Sequence, residues 1–201
     1  MKQVISALLL CAPLSALAAD ATVNLTFSGT LTAPTCKASF VGTNGKDIAF
    51  GSINASDIMG KKNNTIIVAA PVKDASLKFT DCGGGVTRLL LSFNGTDIST
   101  VGFSGKAPSF LDTQNNGKSG LGFALFTDKS KTAVGDAIGF KSEVQTISLS
   151  NVPKSGNTYT WPVYAKMVVV SDTLLANDAS INSNSAGKDL IANAFVNISY
   201  E

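Results

Sequence analysis

The chain has 201 residues, with 16 basic and 14 acidic side chains, no histidine, and a formal net charge of +2. So even a balance gives no electrostatic footing for nucleic acid, a membrane surface or a strongly acidic partner. The missing histidine removes the usual general base of catalytic triads and the commonest metal ligand.

Residues 1–18 read as a signal peptide. Lys2 supplies the charged start and Val4–Leu10 the short apolar run. Ala16-Leu17-Ala18 matches the small-residue cleavage pattern, with the cut after Ala18 or Ala19. The apolar run is too short to span a bilayer. Leu8-Leu9-Leu10 ahead of Cys11 lacks the small residue that a lipidation signal needs. The expectation is an exported chain whose remainder is long enough for one all-β domain with its own core.

Asp20–Leu31 follows. Val23, Leu25, Phe27, Gly29 and Leu31 alternate with Asn24, Thr26, Ser28 and Thr30. That period of two belongs to a strand with one buried face, and Gly29 is a gap in the apolar row. Ala33-Pro34-Thr35-Cys36 offers no two-residue hairpin turn. The apolar face therefore goes either to an edge of its own domain or into the sheet of a neighbouring molecule.

Cys36 and Cys82 remain once the leader is removed. An isolated pair in an exported chain reads as a disulfide, two buried free thiols being the alternative.

Lys37–Val41 is extended, and Gly42–Gly45 turns. Asp47–Ile53 alternates, with Ile48 and Phe50 on one face, and Thr65–Ala69 is a short apolar strand. Ser76–Cys82 alternates again around Leu77 and Phe79, but Cys82 falls out of phase, which predicts a bulge or a strand end there. Gly83-Gly84-Gly85 is a turn. Neither it nor Gly117-Lys118-Ser119 has the spacing or the leading strand of a phosphate loop.

Thr87–Phe93 carries Leu89, Leu91 and Phe93 on one face and ends at the turn signal Asn94-Gly95. Ser104–Ser119 is a long polar loop. Leu121–Thr127 and Glu143–Ser150 are strands. Thr158–Val170 reads as the longest strand, with Pro162 marking an edge or bulge. Ser171–Lys188 is polar and loop-like. Ile191–Glu201 alternates with Ala192, Ala194, Val196, Ile198 and Tyr200 on one face. About nine strands separated by turn signals predict an immunoglobulin-like β-sandwich. Asp172, Asp178 and Asp189 sit in polar loops without a catalytic motif, so no catalytic, metal or cofactor residues are assigned.

Four features together resemble the subunits of bacterial chaperone–usher fimbriae of the type 1 pilin kind. They are the alternating extension Val23–Leu31, Cys36 with Cys82 in Leu77–Cys82, Gly187 ahead of the last strand, and the terminal Ala194–Glu201 with its penultimate tyrosine. The resemblance implies a signal peptide 1–18, a donor-strand extension 19–32 and a pilin domain 33–201. It implies an incomplete immunoglobulin-like β-sandwich that lacks its last strand. A periplasmic chaperone fills the groove first, and the extension of the next subunit fills it afterwards.

By this reading Val23, Leu25, Phe27, Gly29 and Leu31 form the donor strand. Val196, Ile198 and Tyr200 line the groove edge that pairs with chaperone or donor. The partners are other fimbrial subunits, a periplasmic chaperone and an outer-membrane usher, with no nucleic acid and no cofactor. The chain would be exported through the periplasm to the cell-surface fimbrium as a rod or tip-shaft subunit, not an enzyme. The alternative is a single-domain adhesin that binds a host glycan directly through Ser104–Ser119 or Ser171–Lys188.

Overall fold

The computed structural model describes residues 35–41, 48–95, 111–112, 120–141, 143–178 and 190–201. All of them lie in the compact unit Ala33–Glu201. The expected signal peptide, the expected extension with Val23, Leu25, Phe27, Gly29 and Leu31, and Gly187 fall outside the described residues.

The strongest alternating stretches form the central strands, because each puts a continuous apolar row on one side. Chain order runs β1 (Lys37–Phe40), α1 (Ala55–Ile58), β2 (Lys73–Asp74), β3 (Leu77–Thr80), β4 (Arg88–Gly95), β5 (Leu111–Asp112) and β6 (Leu121–Phe126). It continues with β7 (Val144–Ser148), β8 (Lys154–Ser155), β9 (Thr158–Trp161), β10 (Tyr164–Val169), α2 (Asp172–Asn177) and β11 (Ala194–Tyr200). Among the described residues these strands form three sheets, with orders β1-β3-β9-β8, β2-β10-β6-β5 and β11-β4-β7. The strand pairs within them are antiparallel.

The sheets share one core. Leu77 and Phe79 of β3, Leu89, Leu91 and Phe93 of β4, and Leu125 of β6 belong to one buried cluster. Phe93 sets its ring edge-on to Phe140 at 6.4 Å and lies 6.1 Å from Trp161. Burying a side chain of this size stabilises the fold by about 1.5–3 kcal/mol. β6 and β10 bury side chains on both faces. Leu121, Met167 and Val169 join a second cluster beneath α1 and α2, and Ala124, Phe126 and Val168 join a third on the opposite side.

The expected strand Thr158–Val170 is two strands, and Pro162 is the reason. β9 pairs with β3 and β10 pairs with β2, in one continuous register: Trp161 faces Leu77 and Tyr164 faces Asp74. Pro162 has no N–H to give, so the ladder must break there. The neighbouring groups repair the break. The N–H of Ala75 donates to the Val163 carbonyl at 2.8 Å, and the N–H of Val163 donates to Ser76 Oγ at 3.3 Å. The chain pair bends at this point and passes from one sheet to the other.

Three further expectations are corrected. The described part of Asp47–Ile53 forms no strand; Ile48 and Phe50 reach the core from irregular chain, and Phe50 meets Phe123 at 4.8 Å between ring centroids. Among the described residues Thr65–Ala69 forms no strand, only the isolated bridge Ile66–Val168, with the Ile67 N–H donating to the Met167 carbonyl and the Val169 N–H to the Thr65 carbonyl. A turn closed by the Ala70 N–H on the Ile67 carbonyl leaves Val68 88% exposed. The stretch read as loop from Ser171 begins with α2, where Ser171 Oγ caps the helix by accepting from the Leu174 N–H at 3.2 Å. The break foreseen at Cys82 is present: β3 ends at Thr80, and Asp81 turns the chain with φ of 52°.

Candidate functional site

Each strand's position in its sheet decides how well its inward row is covered. β4 lies between β11 and β7, and β3 lies between β1 and β9. Their inward residues Leu91, Phe93, Leu77 and Phe79 are 0–1% exposed. One strand further out, coverage fails on both sheets. On β11 the inward residues Val196, Ile198 and Tyr200 face Phe93, Leu91 and Leu89, yet all three are only half-buried. On β1, Ala38 faces the fully buried Phe79 but is exposed, and Phe40 is half-buried.

β1 and β11 are therefore edge strands of two different sheets that share one core, and their inward rows stay partly open. Among the described residues, β11 is paired only with β4, and β1 only with β3. Each carries a second edge of backbone N–H and C=O groups, the feature that makes an edge strand a template for another strand.

One end of this open flank is closed. The Tyr200 hydroxyl donates to the Cys36 carbonyl at 2.9 Å, joining β11 to the residue just before β1. Cys36 is disulfide-bonded to Cys82, with Cα atoms 4.1 Å apart. Beyond Tyr200, the N–H groups of Thr87 and Arg88 donate to the Glu201 carbonyl at 2.7 and 2.9 Å. The Arg88 guanidinium meets the Glu201 carboxylate at 3.0 Å. At the other end Ala194 is exposed and Phe195 half-exposed.

The flank carries little charge. β11 has no ionisable group except the Tyr200 phenol. Lys37 on β1 points outward and bonds Asp81 at 2.8 Å, and that hydrogen bond raises its pKa. A partner here would be held by main-chain hydrogen bonds and apolar contact. Among the described residues no group of three or more His, Cys, Asp or Glu is placed to hold a metal.

The structure thus brings Cys36 and Cys82 together and puts Val196, Ile198 and Tyr200 on one inward row, as the sequence pattern implies. Sequence reasoning missed the opposite wall, Ala38 and Phe40. Their alternation in Lys37–Phe40 is present but spans too few residues to stand out. It also missed the bond from Tyr200 to Cys36, which no local pattern encodes.

No protein-family model matches this chain, and no curated protein matches it in sequence. Among solved structures, it is similar to a chain from a chaperone–usher pilus, in work on the molecular basis of rod uncoiling. That likeness has a TM-score of 0.50 and 16% identity, covering 90% of this chain and 97% of the other. A tip adhesin, CupB6 from Pseudomonas aeruginosa, aligns at TM-score 0.46 and 13% identity, over 74% of this chain and 35% of the adhesin chain. The chain therefore spans about a third of that adhesin. What the pilus structure shares with this chain is its architecture: the chain has the all-β, immunoglobulin-like fold of a chaperone–usher pilus subunit.

Proposed function

We propose that this chain is a structural subunit of a chaperone–usher fimbria that polymerises by donor-strand exchange. The flank between β1 and β11 is the acceptor groove. The row Val23, Leu25, Phe27, Gly29 and Leu31 of a neighbouring copy is the strand that fills it. A periplasmic chaperone occupies the groove before assembly, and an outer-membrane usher carries the subunit to the cell surface. The contribution to adhesion is indirect, as part of the fibre.

The observation that carries this reading is the loss of burial at both edges of one core. Val196, Ile198 and Ala38 face fully buried partners but remain open to solvent. An added strand with large apolar residues at alternate positions covers such a flank, and the segment at 20–31 has that pattern. Each of its four large residues would contribute about 1.5–3 kcal/mol on burial, before costs. Their sum is comparable with the whole stability of a domain, roughly 5–15 kcal/mol.

The test is deletion of Ala19–Leu31 in cells that carry the cognate chaperone and usher. The shortened subunit should still co-purify with the chaperone and should end polymers where it is incorporated. If the deletion unfolds the chaperone-bound subunit, the segment is an edge strand of its own domain and the reading fails.

A further inference from the structure

We propose that Tyr200 closes one end of the groove and so sets the register of the strand added there. The inference rests on the strand-exchange reading and names the residue that limits it. A strand placed between β1 and β11 needs two strand spacings, about 9.5 Å, between its neighbours. At most levels of the flank nothing described joins the two edges. At Tyr200 something does: its hydroxyl bonds the Cys36 carbonyl at 2.9 Å.

Neither side of that contact is free to give way. Cys36 is 8% exposed and held to the end of β3 by its disulfide with Cys82. Tyr200 is followed by Glu201, whose backbone exchanges hydrogen bonds with Arg88 and whose side chain pairs with the Arg88 guanidinium. The two edges are therefore tied at this end by one side chain between two anchored backbones. Towards the other end Ala38 and Ala194 are exposed, Phe40, Val196 and Ile198 are only half-buried, and among the described residues no comparable tie is present.

This asymmetry bears on a weakness of strand addition. The side-chain period is two, so a slip of two residues keeps every apolar group on the same face and is only weakly resisted by the pattern. A row such as Val23, Leu25, Phe27 and Leu31 can slide by two and still bury apolar groups. A fixed end removes that freedom, because the added strand can advance only until it meets the tie. Tyr200 acts here as a positioning residue.

The experiment uses the full mature chain, polymerised with its chaperone and usher, with a photo-crosslinking amino acid at position 25. Cross-linked peptides are mapped by mass spectrometry. The expected result is one set of contacts on β11 and β1 in the otherwise unaltered chain. In Tyr200→Phe, which keeps the ring and loses the hydroxyl, a second set should appear, shifted by about two residues. An unchanged single set in Tyr200→Phe overturns the inference while leaving strand exchange intact. Absence of any cross-link to β11 or β1 of another copy defeats the strand-exchange reading itself.

A second variant leaves Tyr200 untouched and covers the case in which Tyr200→Phe does not fold. Two residues are inserted after Thr32. If the tie sets the register, the contacts of position 25 stay where they were. If they move by about two residues, the tether sets the register and the inference is wrong.

Discussion

The hydroxyl of Tyr200 donates to the carbonyl of Cys36 across 2.9 Å, and the two residues are 164 apart in sequence. One side chain so connects the last strand to the disulfide that anchors the first described one. The bond couples two contributions usually counted apart, a covalent cross-link and an edge-strand contact. Replacing Cys36 and Cys82 together by alanine should lower stability by about 4 kcal/mol in the chain-entropy account of a loop this long. Tyr200→Phe should cost about 1 kcal/mol. Because the disulfide holds the acceptor carbonyl in place, the combined variant should lose less than the sum. Urea unfolding of the four chains checks this, and strict additivity would show that the two features act independently.

Ile198 faces Leu91 but stays half-buried at the edge of β11. Ile198→Asp puts a charge on the inward row where a partner strand would bury it. The cost of burying an unpaired carboxylate is several kcal/mol, so capture by the chaperone should fall at least about 100-fold. Asn197→Asp, on the exposed side of the same strand, should have little effect. Co-purification of both variants with the chaperone is the measurement, and equal recovery would mean that β11 is not the docking edge.

Gly29 is the small residue in the row Val23–Leu31. A glycine there suits a place where the added backbone lies close to its acceptor. Gly29→Leu should block or strongly slow assembly while leaving chaperone binding intact, and Gly29→Ala should be milder. Polymer growth followed by electron microscopy decides the point; normal fibres from Gly29→Leu would remove the close-approach argument.

Gly120 sits just before β6 with φ of +75°, under the start of α2. A Cβ there would run into the Ser171 carbonyl oxygen and the Leu175 backbone nitrogen. The Gly120 carbonyl also accepts from the N–H groups of Val170 and Ser171. Gly120→Ala should therefore destabilise by about 1–3 kcal/mol, through backbone strain and displacement of α2. A thermal midpoint equal to that of the unaltered chain would contradict this packing.

Lys166 is a charged residue of β10 that is only 4% exposed. Its ammonium donates to the carbonyls of Lys129 and Lys131 and lies 4.8 Å above the Phe126 ring. Burial lowers its pKa from the usual 10.5, with the nearby Asp128 carboxylate pulling the other way. The unfolded chain therefore holds this proton more tightly than the folded one. The fold is less stable with Lys166 protonated than with it neutral, so stability rises as pH climbs from the lowered pKa towards 10.5. Lys166→Met should abolish that rise. At neutral pH it should also cost about 1–3 kcal/mol, because two carbonyls lose their donor. Unfolding midpoints across the alkaline range test both statements, and parallel curves for the two proteins would refute the first.

The all-β class was legible in the sequence because a strand with one buried face must alternate. Leu77–Phe79, Leu89–Phe93 and Val196–Tyr200 do so and lie in β3, β4 and β11. The pairing of Cys36 with Cys82 was legible too, as the pair left once residues 1–18 are read as a leader. Tertiary structure decided what depends on neighbours. Pro162 signalled a break, but the passage of β9 into β10 across two sheets needed Ser76 and Ala75 opposite it. Ile48 and Phe50 alternate like a strand, yet among the described residues no strand pairs with them, and they pack from irregular chain. Alternation records that a face is buried without recording what lies beside the strand. That is why Val196 and Ile198 could be read in advance as an inward row. The exposed Ala38 opposite them, and the bond from Tyr200 to Cys36, arise only when residues at opposite ends of the domain meet.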